Sequence, residues 1–206
     1  MGQVNVIYRT FVHLLTKWHR FYYKRINLLK FSLNGIDYQE GLSLVGPIYI
    51  FRGNGSVVSV GKDFHVTSGL GLNPLTRNIR SMFHIRQNAQ LIIGNNVGIS
   101  SSCIWANQSI VIGNNVNIGG DSIIMDSDIH SLNYQNRRDP MIDYTNSKKS
   151  PIIIDDDVFI GSRCIVLKGV HIGARSVVAA GSVVTKSIPN DCIAGGNPCI
   201  VIKQKI

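Results

Sequence analysis

Glutamate is almost missing from this sequence: of the 12 acidic residues, only Glu40 is a glutamate. Charged residues make up only 16% of the chain, yet no apolar run approaches the roughly 18 residues that a membrane-spanning helix needs. The scarcity of glutamate makes this a poor composition for helices, and the lack of a long apolar run excludes a transmembrane protein. The 20 glycines and the many Val, Ile and Asn residues favour short strands joined by tight turns. We therefore expect a soluble, all-β protein of one domain with a small appendage.

Spacings typical of metal sites and of secreted disulfide frameworks are missing too. Paired spacing is lacking among the four cysteines, Cys103, Cys164, Cys192 and Cys199. Metal-ligand spacing is likewise lacking among His13, His19, His65, His84 and His171. We therefore expect no metal. No apolar core with a small-residue cleavage site follows Arg9, so we expect no signal peptide and a cytoplasmic location.

Positive charge is concentrated near the N-terminus. Six cations precede the first acidic residue, Asp37, so only +3 of the net charge of +9 remains for the other residues. These cations are Arg9, Lys17, Arg20, Lys24, Arg25 and Lys30. Because the basicity belongs to one segment, we expect no nucleic-acid partner.

Residues 4–31 carry apolar side chains at three- and four-residue steps, with the cations mostly between them. Asn34 and Gly35 end this pattern. We predict a basic amphipathic helical segment within residues 1–40. Its apolar stripe packs either on the rest of the protein or a neighbouring subunit, or on an anionic membrane surface.

An internal repeat dominates the rest of the chain. Aliphatic residues recur at every sixth position, at Ile154, Ile160, Val166, Ile172, Val178 and Val184. Four positions after each of these stand Val158, Cys164, Val170, Ser176, Ser182 and Ile188. The same pattern appears upstream at Ile93, Ile99, Trp105, Ile112, Ile118 and Ile124, with one extra residue between 105 and 112. A fainter version runs from Val60 through Leu72 to Leu91.

A period of six requires a short strand and a turn that together use six residues, and three such units make a triangular coil. Stacked coils pair their strands in parallel and bury the aliphatic residues in a shared interior. We therefore predict a parallel β-helix of about seven coils within residues 41–206. Cys103 and Cys164 fall in the small slot of their hexads and are predicted to be core residues, and Trp105 is predicted to be a core or interface residue. The repeat itself does not fix the handedness.

Residues 90–203 resemble the hexapeptide-repeat acyltransferases. The resemblance rests on IGNNV at 112–116, DSDIH at 126–130, GSVVTK at 181–186 and GNP at 196–198. It is strongest with the branch that contains galactoside, maltose and xenobiotic acetyltransferases and the O-acetyltransferases of bacterial surface polysaccharides. The resemblance implies a left-handed parallel β-helix, a homotrimer with active sites between subunits, and acetyl-CoA as the co-substrate.

The repeat breaks after Ile124, where Asp126, Asp128 and His130 precede a polar loop at 131–150. Loops that leave a rigid scaffold often carry function, and an imidazole, with an ordinary pKa of about 6.5, can take a proton from an attacking hydroxyl. In the resembled enzymes this histidine is the catalytic base, so we expect that role for His130. Asp126 or Asp128 is expected to orient its ring, and the residues do not choose between them. The plainer alternative is that His130 only caps a turn.

The resemblance also implies a coenzyme A site. It assigns the pantetheine arm and the nucleotide end of the cofactor to Phe159, Gly161, Ser162, Ala180, Thr185, Lys186 and Lys203. Phe159 stands where the family commonly has tryptophan. The chain departs from the family at Ile200, where many members have a basic residue, and at 100–102, where the galactoside branch has an asparagine. Acceptor binding is therefore not carried over.

These observations lead to the hypothesis of an acetyl-CoA-dependent O-acetyltransferase acting on a sugar hydroxyl of a surface polysaccharide or its precursor. The alternatives are an N-acetyltransferase of an amino sugar, an acetyltransferase of a small xenobiotic, and a solenoid scaffold without activity. The C-terminal tail is taken as 189–206, and residues 4–31 are expected to make any peripheral contact with the inner membrane surface.

Overall fold

The structure is a computed structural model that describes residues 2–69 and 79–204, with only the backbone described at 2–4 and 7. The chain folds into a left-handed parallel β-helix that follows one long N-terminal helix, as predicted. Leu72 of the fainter repeat lies outside the described residues. Among the described residues, no helix is both long and apolar enough to cross a membrane.

Successive strands lie on the three faces of a triangular prism, so each coil contributes one strand to each of three sheets. In chain order they are β1 (Asp37–Tyr38), β2 (Ser43–Val45), β3 (Ile48–Arg52), β4 (Val57–Val60), β5 (His65–Thr67), β6 (Ser81–Ile85), β7 (Gln90–Ile93), β8 (Gly98–Ser100), β9 (Cys103–Ala106), β10 (Ser109–Ile112), β11 (Asn117–Ile118), β12 (Ile123–Met125), β13 (Ile152–Ile154), β14 (Phe159–Ile160), β15 (Ile165–Leu167), β16 (His171–Ile172), β17 (Val177–Val178), β18 (Val183–Val184), β19 (Cys192–Gly195) and β20 (Ile200–Gln204). Sheet A contains β1, β4, β7, β10, β13 and β16; sheet B contains β2, β5, β8, β11, β14, β17, β19 and β20; sheet C contains β3, β6, β9, β12, β15 and β18. The described chain therefore completes six coils and begins a seventh.

The six-residue register of the second half is confirmed. All six aliphatic positions from Ile154 to Val184 are at most 1% exposed, and the second slots from Val158 to Ile188 are at most 5% exposed. In-register parallel pairing places Ile154 opposite Ile172, so the inward-facing side chains of successive coils line up. Each coil thus buries a face that it could not bury alone.

The predictions for Trp105 and Cys103 in the core are wrong. In β9 the inward residue is Ile104, which is completely buried and pairs with Ile124, whereas Cys103 and Trp105 lie half-buried on the outer side of sheet C. Ile104 follows Ile99 by five positions instead of six, and the short turn between them has a left-handed backbone at Ser101 (φ 36°). The alternative of an interface role for Trp105 stays open.

Helix α1 (Gly2–Leu33) packs on the first coil through its C-terminal part only. Asn27 and Phe31 are completely buried, and the Asn27 side chain donates to the Gly46 carbonyl at 2.8 Å. The helix ends where predicted, since Gly35 takes the left-handed conformation (φ 58°) that terminates helices. Strand β1 pairs with β4, so the solenoid already begins at 37 rather than at 41.

The chain leaves the solenoid between β12 in sheet C and β13 in sheet A, and this excursion holds a 3₁₀ turn (Asn136–Arg138) and helix α2 (Pro140–Thr145). Asp126 fixes the point of departure. Its carboxylate is completely buried and accepts the backbone N–H groups of Asn107, Gln108 and Ser109 at 2.6 to 2.7 Å. The C-terminal end of the excursion is held by a hydrogen bond from the Ser150 N–H to the Asp126 carbonyl at 2.9 Å.

The C-terminal end of the solenoid reverses direction. Strand β20 runs antiparallel to β19, although the other strand pairs of the described solenoid are parallel. All five of its residues are exposed. The tail at 189–204 therefore closes sheet B with a strand of opposite direction.

The interior register predicts a large difference between two neighbouring isoleucines of β13. Ile154 is 1% exposed and Ile153 is 42% exposed. Ile154→Ala should lower the free energy of unfolding by about 2 to 5 kcal/mol, through lost burial and the cavity left behind. The matched Ile153→Ala should cost about 1 kcal/mol or less. Urea denaturation of both variants measures this, and equal losses would show that the register is wrong.

The three backbone donors on Asp126 predict that this carboxylate is structural. In Asp126→Asn the amide turns an N–H group toward those donors, so at least one of the three loses its acceptor beside a buried side chain. We expect a loss of about 2 to 4 kcal/mol in the free energy of unfolding at pH 7. Glu40→Gln, which removes an exposed contact with Lys62, is the control and should change stability by less than about 1 kcal/mol. A fully stable Asp126→Asn variant would contradict the assignment.

Candidate active site

Helix α2 begins with a strong local signal. The Asp139 side chain accepts the N–H groups of Met141 and Ile142 at 2.8 and 3.0 Å, and Pro140 occupies the first helical position, where its missing N–H costs nothing. One turn further on, this short helix places Asp143 against the chain that leaves β12. The position of the Asp143 carboxylate therefore follows from the cap.

Asp143 bonds to His130. The His130 Nδ1 atom lies 2.6 Å from Oδ2 of Asp143, and the Ser131 backbone N–H donates to Oδ1 at 2.6 Å. The bond from His130, the Ser131 N–H and the nearby charge of Arg137 hold the pKa of Asp143 below its ordinary value, so the group is a carboxylate at neutral pH. A carboxylate only accepts hydrogen bonds, so Nδ1 carries the proton, and the lone pair of the neutral ring is left on Nε2.

The pair is exposed on one side and held on the other. The His130 side chain is 68% exposed, whereas that of Asp143 is 10% exposed. Ser131 is buried beside them; its carbonyl accepts from the Arg137 guanidinium at 2.6 Å and its hydroxyl from the Asn136 amide at 3.0 Å. A reactive nitrogen open to solvent is thus carried by a backbone that several hydrogen bonds fix.

The backbone just before His130 is strained. Ile129 has φ of 63°, a left-handed conformation that is costly for a β-branched residue, and the His130 N–H closes a tight turn onto the Asp128 carbonyl at 2.7 Å. Such conformations persist only where the surrounding structure enforces them, and they cluster at functional sites. The strain marks 128–130 as a segment whose shape is imposed by the loop.

The expectation that Asp126 or Asp128 orients His130 is corrected, because Asp143 makes that bond. Burial raises the pKa of Asp126, the backbone N–H groups that it accepts oppose this rise, and its carboxylate is fully used at the corner of the solenoid. Asp128 accepts from Lys168 at 2.5 Å. The sequence signal that was missed is Asp139-Pro140, which is typical of a helix start and predicts a helix with Asp143 inside the polar loop.

Three of the predicted cofactor residues meet at the corner between sheets B and C. The Gly161 N–H donates to the Val178 carbonyl at 2.8 Å, and a Cβ atom at Gly161 would lie 2.5 Å from the Ala180 nitrogen. In the next turn the Gly181 N–H donates to the Ser162 carbonyl at 2.9 Å. The N–H groups of Ser162 and Ala180 bond to no acceptor within the described part of the chain. This corner therefore offers two free backbone donors on adjacent coils.

Phe159 lies nearby on β14 and is 49% exposed. It forms one end of a groove of about 390 Å³ on the outer side of sheet B, which also touches His65, Thr67, Ser100 and Asn117. No motif in the sequence points to this groove, because its residues come from four coils.

Thr185, Lys186 and Lys203 lie elsewhere. Thr185 and Lys186 are exposed after β18, at the corner between sheets C and A, and Lys203 is exposed on β20 opposite Ile193. His130 also belongs to the corner between sheets C and A, because its loop leaves there. Within one chain, His130 and the Gly161–Ala180 corner therefore lie at opposite edges of sheet C.

Comparison with known proteins gives two kinds of match in sequence. The family profile described as "Hexapeptide repeat of succinyl-transferase" matches residues 151–186. A 2,3,4,5-tetrahydropyridine-2,6-dicarboxylate N-acetyltransferase of Staphylococcus aureus (strain Newman) is 48% identical over 54 residues, which cover 26% of this chain and 23% of that protein. The matched segment thus spans less than a quarter of that relative.

Solved structures match over more of the chain. A hexapeptide-repeat containing acetyltransferase from Vibrio cholerae O1 biovar eltor, solved with acetyl coenzyme A, is 30% identical with a TM-score of 0.50, over 75% of this chain and 70% of that one. The N-acyltransferase AntD from Bacillus cereus, solved with dTDP-4-amino-4,6-dideoxyglucose and coenzyme A, has a TM-score of 0.63 over 83% and 84% of the two chains, and at 18% identity it shows the fold alone. With its hexad interior, its triangular coils and this coverage, the chain belongs to the hexapeptide-repeat acetyltransferase family.

Proposed function

We propose that this protein transfers an acetyl group from acetyl-CoA to a sugar hydroxyl of a surface polysaccharide or its precursor. The observation that carries the proposal is the His130–Asp143 pair, with the ring exposed and its partner carboxylate buried. Family membership supports the reaction class, and the relative from Vibrio cholerae was solved with acetyl-CoA. The cysteines described in the structure are free thiols, which suits the cytoplasmic location that we also propose.

In the proposed reaction Nε2 of His130 accepts the hydroxyl proton as the acceptor oxygen attacks the thioester carbonyl. The C–O bond forms, the C–S bond breaks, and the coenzyme leaves as a thiol after taking the proton back from the imidazolium. Asp143 stabilises the imidazolium while it exists and keeps the ring in the tautomer that can accept a proton. The acceptor attacks directly, so no covalent intermediate on the enzyme is needed.

The corner between sheets B and C is the proposed site for the pantetheine arm. The free N–H groups of Ser162 and Ala180 can bond to the amides of that arm, and Phe159 offers an apolar face. Thr185 and Lys186, at the corner between sheets C and A, and Lys203, on sheet B, are proposed for the nucleotide end from two different subunits, with the lysines as phosphate partners. We further propose a homotrimer, in which the His130 corner of one subunit meets the Ser162–Ala180 corner of its neighbour across a shared cleft.

N-acetylation of an amino sugar or another amine is the second candidate, and the identity to the Staphylococcus aureus N-acetyltransferases over 54 residues favours it. A panel of glycans, amino sugars and small drugs, incubated with labelled acetyl-CoA, separates the candidates by the atom that becomes labelled. Label on a glycan oxygen supports the proposal, and label on nitrogen or on a drug hydroxyl replaces it. If the protein is a scaffold without activity, acetyl-CoA should leave its melting temperature unchanged.

The proposed base gives a prediction with a built-in control. His130→Ala should lower turnover by about 100- to 10,000-fold while the melting temperature and acetyl-CoA binding stay unchanged. His171 also bonds to an aspartate, with Nε2 at 2.8 Å from Oδ2 of Asp155, but it lies on the outer side of sheet A. His171→Ala should keep normal turnover. Near-normal turnover in a folded His130→Ala variant would refute the mechanism.

The shared cleft predicts complementation between two inactive chains. Ala180 is exposed, so Ala180→Trp should fold normally and block the pantetheine wall. A fully exchanged, equimolar mixture of His130→Ala and Ala180→Trp chains should recover about a quarter of the wild-type activity, because that fraction of its clefts receives both intact halves. Subunit exchange is checked by mass. Activity that stays at zero in exchanged trimers would place the cleft within one chain.

A further inference from the structure

Most of helix α1 projects beyond its contact with the solenoid. The helix has 32 residues and is therefore about 48 Å long, but its completely buried side chains, Asn27 and Phe31, both lie in the last two turns. Lys30 adds a bond from its ammonium to the Ile48 carbonyl at 2.8 Å. No side chain before Tyr22 in the described part of the helix is buried, although Arg20 still lines a groove beside β2.

The apolar stripe of α1 faces away from the solenoid. We define the stripe as Phe11, Leu14, Trp18, Tyr22 and Leu29, whose exposed fractions are 59%, 59%, 57%, 44% and 55%. Nine residues separate Trp18 from the buried Asn27, and at about 100° per residue this is a half-turn of the helix. Because Asn27 points into the first coil, the stripe points outward. The alternative in which the stripe packs on its own chain is therefore excluded.

The charge of the helix is all of one sign. Six cations and no acidic residue lie within Gly2–Leu33. Five of the six are exposed, namely Arg9, Lys17, Arg20, Lys24 and Arg25. At about 100° per residue, Lys17 lies beside the stripe and Arg25 within it, where lysine and arginine can reach toward phosphates of a headgroup layer. Arg20 and Lys24 lie on the side of the helix that faces the solenoid, where they line a groove beside β2.

We propose that α1 docks the protein onto the surface of an anionic lipid bilayer, with the stripe in the headgroup layer and the solenoid held on the far side of the helix. Charge complementarity selects this occupant over a second copy, since paired copies of α1 would bring twelve like charges together. Trp18 and Tyr22 suit the interface between headgroups and acyl chains. The helix lies on the bilayer and does not cross it, in keeping with its sequence.

The test is sedimentation of the full chain with vesicles of phosphatidylcholine that contain about one-third phosphatidylserine, and with pure phosphatidylcholine vesicles. Wild-type protein should bind the anionic vesicles at least about tenfold more tightly. This difference should shrink as salt rises from about 0.05 to 0.5 M, because ions screen the attraction. Equal binding to both vesicles, or no salt dependence, would overturn the anionic surface as the partner.

Charge-matched variants separate the stripe from the rest of the helix. Phe11→Glu with Trp18→Glu should lower vesicle binding by at least about tenfold. The control, Asn5→Glu with Thr16→Glu, adds the same charge on the opposite side of the helix and should keep more of the binding. Loss to the same extent in both variants would show that net charge alone drives the binding, which overturns docking through the stripe.

Light scattering without vesicles tests whether the stripe instead binds a second copy of the chain. The stripe variant should keep the subunit number of the wild type. If Phe11→Glu with Trp18→Glu dissociates into smaller species, and the wild type binds no vesicles, the stripe is a subunit interface and the proposal fails. None of these readouts uses acetyl transfer, so the result does not depend on the proposed reaction.

Discussion

Burial of one aliphatic side chain per hexad is the interaction on which the rest of this molecule depends. A single coil exposes its inward residues above and below, so the interior becomes dry only when coils stack in register. The buried ladder that runs through Ile118, Ile160 and Val178 shows this arrangement on sheet B. Because each coil is held by its neighbours, the corners between sheets can carry side chains and turns that contribute little to stability.

The loop that carries His130 uses this rigidity. It departs and returns at a corner that Asp126 secures from both sides, so the solenoid fixes its two ends. Between those ends, the N-terminal cap of α2 determines the position of Asp143, and Asp143 orients the His130 ring. The fixed ends of the loop also explain the strained backbone at Ile129, because they impose a conformation that this residue does not prefer. The arrangement of His130 and Asp143 thus depends on buried residues outside the pair, such as Asp126.

The sequence predicts the repeat well, because every inward position meets the same environment and so needs the same kind of residue. It fails at Trp105 and Cys103, where a turn shortened at Ser101 shifts the count by one. Asp143 was missed for another reason. Its bond to His130 joins residues 13 positions apart, and the path of the loop between them is not periodic. The amphipathic pattern of α1 reveals a stripe, but only the burial of Asn27 shows which way the stripe faces.

The reversed strand β20 has a consequence for how long this solenoid can grow. The last coil of a parallel β-helix presents unpaired backbone groups that could accept the first coil of another molecule, and repeated addition would build a fibre. On sheet B that edge is taken by β20, whose direction is wrong for a further parallel strand. Lys203 on this strand adds a charge that discourages pairing. At the other end, Phe31 of α1 covers the first coil. The two ends of the stack are therefore closed in different ways, by a reversed strand on sheet B and by the C-terminal turns of α1.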